Sequence, residues 1–341
     1  MSSTESPDTA TAALPVPPAG AGRRGAETVR TVTLPGLTLA LRAPDGHPAE
    51  RAAPGAADDG ATRPREPALY VHGLGGSSQN WSDLMPLLAD RLDGEAIDLP
   101  GFGLSPPPDD GNYSVSAQAR ALIRHLDAAG RGPAHLLGNS MGGAAATRVA
   151  AVRPDLVRTL TLVSPALPEL RPQRTAVPTA LLAVPGIARL FSRLTHDWTP
   201  ERRTREVLAL CYGDPGRVSP EGFNSAADEY ARRLELPYFW EVMERSARGL
   251  VNAYTLGGQH NLWRQAERVL APTLLVYGGR DRLVSFRMAR RAAAAFRGSR
   301  MLTLPEAGHV AMMEYPEAVA RAVRDLLDSE ETEATAVAGR S

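Results

Sequence analysis

Along most of this chain, short apolar runs alternate with longer stretches in which apolar residues recur every three to four positions. The short runs predict strands at Val29 to Leu34, Leu37 to Arg42, Ala68 to His72, Glu95 to Asp98, Ala134 to Gly138, Thr159 to Val163, Thr273 to Tyr277 and Met301 to Leu304. The longer pattern predicts helices at Asp83 to Arg91, Ser116 to Ala129, Met141 to Arg153, Phe286 to Phe296 and Pro316 to Leu327. In the second of these, Ala119, Leu122, Ile123 and Leu126 fall at the i, i+3, i+4, i+7 spacing of one buried face. Strands alternating with helices predict an α/β fold, a mostly parallel sheet covered on both faces.

The rhythm breaks at about Leu167 and resumes at about Val269, with helix-like segments and several aromatic residues between. An insertion there would sit over the strand ends, where open α/β sheets bind ligands. The expected organisation is therefore an α/β core from residues 29–166 and 270–328, with a helical cap from 167–269. Residues 1–28 and 329–341 lack the large apolar side chains that offset the entropy of ordering, and are expected to be mobile tails. The Ala-, Pro- and Gly-rich stretch from Pro44 to Pro67 reads as a long surface loop.

Composition narrows the function classes. With 341 residues, 43% of them hydrophobic, the chain can bury one substantial core. Lysine plus arginine and aspartate plus glutamate each total 38, so no net field argues for nucleic acid or for an anionic membrane surface. Cys211, the single cysteine, cannot form an internal disulfide. The segment Met1 to Gly25 has no basic region leading into an apolar one, and no apolar run approaches the roughly 20 residues that span a bilayer. A soluble, cytoplasmic protein is expected, with its oligomeric state left open.

Chemistry enters at Gly138-Asn139-Ser140-Met141-Gly142, where an apolar strand passes straight into an Ala-rich helix. A serine on such a turn is exposed at the sheet's edge, in a backbone too crowded for side chains two residues to either side. It also lies at a helix amino terminus, whose partial positive charge favours developing negative charge. Serine needs an adjacent base, and the base a third group to fix its tautomer. Seven histidines compete for the role of base, among them His309 in Glu306-Ala307-Gly308-His309 just after the last strand. Asp281, in Gly278-Gly279-Arg280-Asp281 after an apolar strand, is a candidate for the third position.

These motifs, together with Val71-His72-Gly73-Leu74-Gly75-Gly76, resemble those of the α/β-hydrolase superfamily over about Val29 to Leu327. The resemblance implies a sheet of about eight strands, the serine after the fifth and the cap after the sixth. It implies the chain order Ser140, Asp281, His309 for the catalytic triad, with Glu169 as the fallback acid because some members of the superfamily carry the acid after the sixth strand. It also implies an oxyanion hole made by the backbone NH groups of Leu74 and Met141. His72 and Asp98, in loops that resemble the family's, read as structural residues. Gly73, Trp81, Trp240 and Val310 are expected to contact substrate, while Tyr238, Phe239, Tyr254 and Trp263 read as cap core.

The run Gly138 to Gly143 is similar to that of meta-cleavage product hydrolases, which cut carbon-carbon bonds in dienoic diketone acids. Two departures weigh against that narrower match: Leu74-Gly75-Gly76 in the oxyanion loop, and Val310 where those enzymes tend to carry tryptophan. The expectation is a serine esterase acting on a small or medium acyl substrate, with no metal or organic cofactor. Carbon-carbon hydrolysis, peracid formation and ligand reception in a hydrolase-like pocket are the alternatives.

Overall fold

The computed structural model describes residues 27–44, 65–169, 171–255 and 257–338. The expected amino-terminal tail up to residue 26, the interior of the 44–67 loop and residues 339–341 lie outside the described residues.

Eight strands form one sheet: β1 (Glu27–Leu34), β2 (Leu37–Pro44), β3 (Glu66–Val71), β4 (Leu92–Ile97), β5 (Ala134–Asn139), β6 (Val157–Val163), β7 (Thr273–Gly278) and β8 (Arg300–Leu304). Their spatial order is β1-β2-β4-β3-β5-β6-β7-β8. Only β2 runs against its neighbours, and pairing from β4 to β8 is parallel throughout. The chain leaves β4, crosses β3 and enters the sheet's centre as β5, so the end of β5 faces a crevice bordered by the loop after β3.

Every residue of β5 and β7 is buried, as expected of strands covered on both faces. Alternation sorts their side chains. Leu69 and Val71 of β3, Leu136 of β5 and Leu275 and Tyr277 of β7 enter one core with α1 (Val115–Ala129) and α2 (Met141–Val152). Ala68 and Tyr70, Leu137, and Leu274 and Val276 enter the other.

The expected helix over Asp83 to Arg91 does not form. Two single 3-10 turns, Ser78–Trp81 and Met85–Leu88, take its place. Pro86, which carries no NH and clashes with the preceding turn, lies where the helix interior would be.

Between β6 and β7 come α3 (Val177–Leu181), α4 (Ile187–Leu194), α5 (Pro200–Cys211), α6 (Pro220–Leu234), α7 (Phe239–Thr255) and α8 (Leu262–Ala266). After β7 follow α9 (Met288–Ala295), α10 (Ala311–Glu314) and α11 (Pro316–Ala338). α11 corrects the expectation of a tail from residue 329, since it continues as helix to Ala338. Its Ala- and Glu-rich composition favours helix, and Arg91 fastens the extension to the core through Asp328 at 2.8 Å and Glu331 at 2.9 Å. Among the described residues, no helix is long and apolar enough to cross a membrane.

Trp81 is fully buried in the second core, its ring centroid 5.5 Å from that of Tyr70. Trp81→Ala is expected to lower unfolding free energy by about 3–5 kcal/mol in urea titration, the cost of emptying a large aromatic site.

Candidate active site

β5 ends at Asn139 and α2 begins at Met141, so Ser140 alone makes the turn. Its backbone sits at φ 53° and ψ −118°, a conformation that a non-glycine residue holds only when its surroundings enforce it. The enforcement is visible. Ser140 NH donates to Val163 O at 3.1 Å, and its carbonyl accepts from Ala144 NH at 3.0 Å and Ala166 NH at 2.9 Å. A β-carbon on Gly138 would stand 2.8 Å from Gly142 O, and one on Gly142 2.4 Å from His72 O. The two glycines are therefore required by backbone approaching backbone.

The loops after β7 and β8 bring Asp281 and His309 together. His309 Nδ1-H donates to Asp281 Oδ2 at 2.9 Å, while Asp281 Oδ1 accepts from Leu283 NH at 2.8 Å and Val284 NH at 3.0 Å. Burial pushes the Asp281 carboxyl up, but the His309 ring and these hydrogen bonds outweigh it and hold the group below the usual carboxylate range. The contact fixes the neutral imidazole with its proton on Nδ1 and its lone pair on Nε2. Glu169, the fallback acid, instead approaches Ser285 NH at 3.4 Å.

Three contacts that the motifs did not disclose hold the histidine's main chain. His309 NH donates to Cys211 O at 2.7 Å, and Asn139 Nδ2 donates to both His309 O and Val163 O at 3.0 Å. The buried Glu314 carboxylate accepts from Gly308 NH at 2.6 Å, Gly213 NH at 3.0 Å and Asp214 NH at 3.2 Å. Polar side chains next to the expected site residues were the available signal, but sequence spacing says nothing of which backbone they reach.

The loop after β3 passes close by: a β-carbon on Gly73 would lie 2.9 Å from Ser140 Cβ. His72, fully buried, accepts from Leu99 NH at Nε2 (3.0 Å), which puts its proton on Nδ1, donating to Gly73 O at 2.7 Å. Asp98 accepts from Ser78 NH at 2.6 Å and Leu104 NH at 2.9 Å. Both thus shape the loops around the serine.

A cavity of about 300 Å³ opens over this constellation, and Ser140, His309, Gly73, Leu74 and Val310 all line it. Met141, at the head of α2, is fully buried and its side chain packs into the first core. Two expected contacts do not reach the cavity. Trp81 is not among the residues that line the cavity, and its ring lies in the second core with Tyr70. Trp240 packs edge-on against Phe191 and Phe239, with centroids 5.7 and 5.0 Å away. Tyr254, read as cap core, does line the cavity, as do Ala247, Leu250 and Val251. These four occupy i, i+3, i+4 and i+7 of α7, the spacing of one helical face and a signal present in the sequence.

Glu229 and Arg233 of α6 are the charged pair in the wall. The Glu229 carboxylate accepts from Arg233 Nε at 2.8 Å, and Arg233 Nη1 donates to the Gly75 carbonyl, tying α6 to the loop after β3. Among the described residues, no group of three or more His, Cys, Asp or Glu side chains is placed to hold a metal ion.

The sequence profile described as the alpha/beta hydrolase family matches residues 68–322. The chain belongs to that family. A dihydrolipoyllysine-residue acetyltransferase component of an acetoin cleaving system from Cupriavidus necator is 29% identical over 73% of this chain, which spans only 60% of that relative. A pimeloyl-[acyl-carrier protein] methyl ester esterase from Neisseria meningitidis is 27% identical over 76% of the chain and 91% of its own length. Among solved structures, a meta-cleavage product hydrolase from Pseudomonas fluorescens has a TM-score of 0.66 at 18% identity, with 88% and 97% of the two chains covered. That likeness bears on the fold.

Burial also holds the His72 imidazole down, to about 4. A histidine depressed from its unfolded value of about 6.5 binds fewer protons folded than unfolded across that window, so its stabilising effect is complete above 6.5 and is lost as pH falls toward 4. Between pH 7 and pH 5 this group is expected to remove about 2 kcal/mol of stability, and His72→Gln to flatten that slope in paired denaturant titrations.

Proposed function

We propose that this protein is a serine hydrolase of small or medium carboxylic esters, working through an acyl-enzyme. The observation that carries the reading is the buried His309–Asp281 pair, at 2.9 Å, facing the same cavity as a serine on a strained strand-to-helix turn. Ser140 Oγ attacks the ester carbonyl as His309 Nε2 takes its proton, and Asp281, ionised and held by two backbone NH groups, stabilises the imidazolium. The carbonyl oxygen becomes an oxyanion, received by the NH groups of Leu74 and Met141. His309 then protonates the departing alkoxide, and a water molecule activated by the same ring releases the acid.

The wall supports an apolar acyl or alkyl group. Leu167, Leu208, Leu250, Val284 and Met313 line the cavity, and its volume suits a small or medium ligand rather than a polymer. The esterase from Neisseria meningitidis, named for a methyl ester, is a relative in keeping with this chemistry.

Ser140→Ala is expected to reduce p-nitrophenyl butyrate turnover by on the order of 10⁴-fold or more with the fold intact by circular dichroism. Undiminished turnover would remove the serine from the mechanism. A fluorophosphonate probe is expected to label the wild type alone, and multiple turnovers to separate an enzyme from a receptor. Tested beside the esters, a dienoic diketone acid is expected to turn over more slowly; the reverse ranking would favour carbon-carbon hydrolysis. Leu250→Trp, which fills part of the cavity, is expected to lower kcat/KM for octanoyl relative to acetyl esters by about tenfold.

A further inference from the structure

Net charge hides a local asymmetry. Residues 171–206 contain seven arginines, no lysine and three carboxylates, Asp197, Glu201 and Glu206. Arg171, Arg174, Arg189, Arg193, Arg202 and Arg205 are exposed, and among the described residues Arg189 and Arg193 form no ion pair. The rest of the chain balances this excess, which is why the total is zero.

The same segment exposes apolar side chains around the way into the cavity. Val177, Val207 and Val251 line the cavity and are still 45%, 43% and 38% exposed, so they form its rim. Leu181, one helical turn after Val177 in α3, is exposed too, as are Val184 and Leu190, and Leu194 is 72% exposed. This is a formed surface. Phe191 anchors α4 against Trp240 and Trp198, Glu244 accepts from Gly186 NH at 2.8 Å, and Arg248 Nε donates to Ala183 O at 3.0 Å. With α4 held on that side, Leu190 and Leu194, one turn apart, are left facing outward.

We propose that this face of the insertion docks on an anionic lipid surface, delivering ester-bearing amphiphiles to the cavity mouth. An amphipathic helix with leucines on one side and arginines flanking them is matched by acyl chains below and anionic headgroups above. A second copy of the chain would press like charge on like charge in a two-fold contact. An acidic protein would meet the arginines but leave the leucines against a polar partner. Delivery of an ester rests on the proposed function; docking does not, and it is read without catalysis.

The test is sedimentation of the full-length Ser140→Ala protein with vesicles of pure phosphatidylcholine, or of equal parts phosphatidylcholine and phosphatidylglycerol. Binding is expected to the mixed vesicles alone and to weaken with added salt. Arg189→Glu and Arg193→Glu are each expected to reduce the partition coefficient about fivefold or more, and Leu194→Ser to reduce it as well. No binding, equal binding to neutral vesicles, or binding indifferent to these variants overturns the proposal. So does a wild-type dimer in analytical ultracentrifugation that Leu194→Arg dissociates, which assigns the face to a second copy, or capture of an acidic carrier protein in preference to vesicles. Ester turnover by the wild type, assayed separately on a soluble substrate, distinguishes failure of docking from failure of the hydrolase reading.

Discussion

The site depends on a crossing of backbones that leaves no volume for a β-carbon. Gly138 and Gly142 bracket Ser140 where the end of β5, the head of α2 and the carbonyls at the end of β3 converge. That contact forces Ser140 into its strained turn and brings the Gly73 loop against it. Ser140 hydrogen bonds to Val163 and Ala166 then tie the turn to β6, and Asn139 carries the same connection across to the histidine loop. Close packing of main chain, which relaxes little, is what makes the geometry reproducible from one folding event to the next.

What the sequence disclosed, and what it did not, follows from the range of each interaction. The sheet strands were legible because short apolar runs carry them, and Ser140, Asp281 and His309 stood out as candidates because each sits in a short motif tied to a strand end. The helix expected at Asp83 rests on apolar spacing alone, and Pro86 limits the segment to a 3-10 turn. Trp81 and Trp240 were expected at the substrate because they lie near the loop or in the insertion, but adjacency in the chain does not set the direction of a ring. Both aromatic surfaces are taken up by other aromatics. The roles of Asn139 and Glu314 were invisible for a different reason. Each acts on backbone groups supplied by distant segments, and a backbone NH has no letter in the sequence.

Arg233 reaches the Gly75 carbonyl while Glu229 holds its guanidinium, so one edge of the insertion is fixed to the loop carrying Leu74. On its other edge the insertion is fixed to the Asp281 loop, where Gln173 donates to the Asp281 carbonyl at 2.8 Å. The helices above the cavity and the loops below it are thus held in common.

Glu314 sets a limit on how such a protein can be re-engineered. Because its carboxylate binds Gly308 on the core side and Gly213 and Asp214 within the insertion, the helices between β6 and β7 are not a detachable module. A chimera that exchanged them for foreign helices would have to recreate two NH donors at that place, or leave a buried carboxylate short of partners beside the histidine loop. Grafting therefore has a natural seam only outside the 211–214 segment.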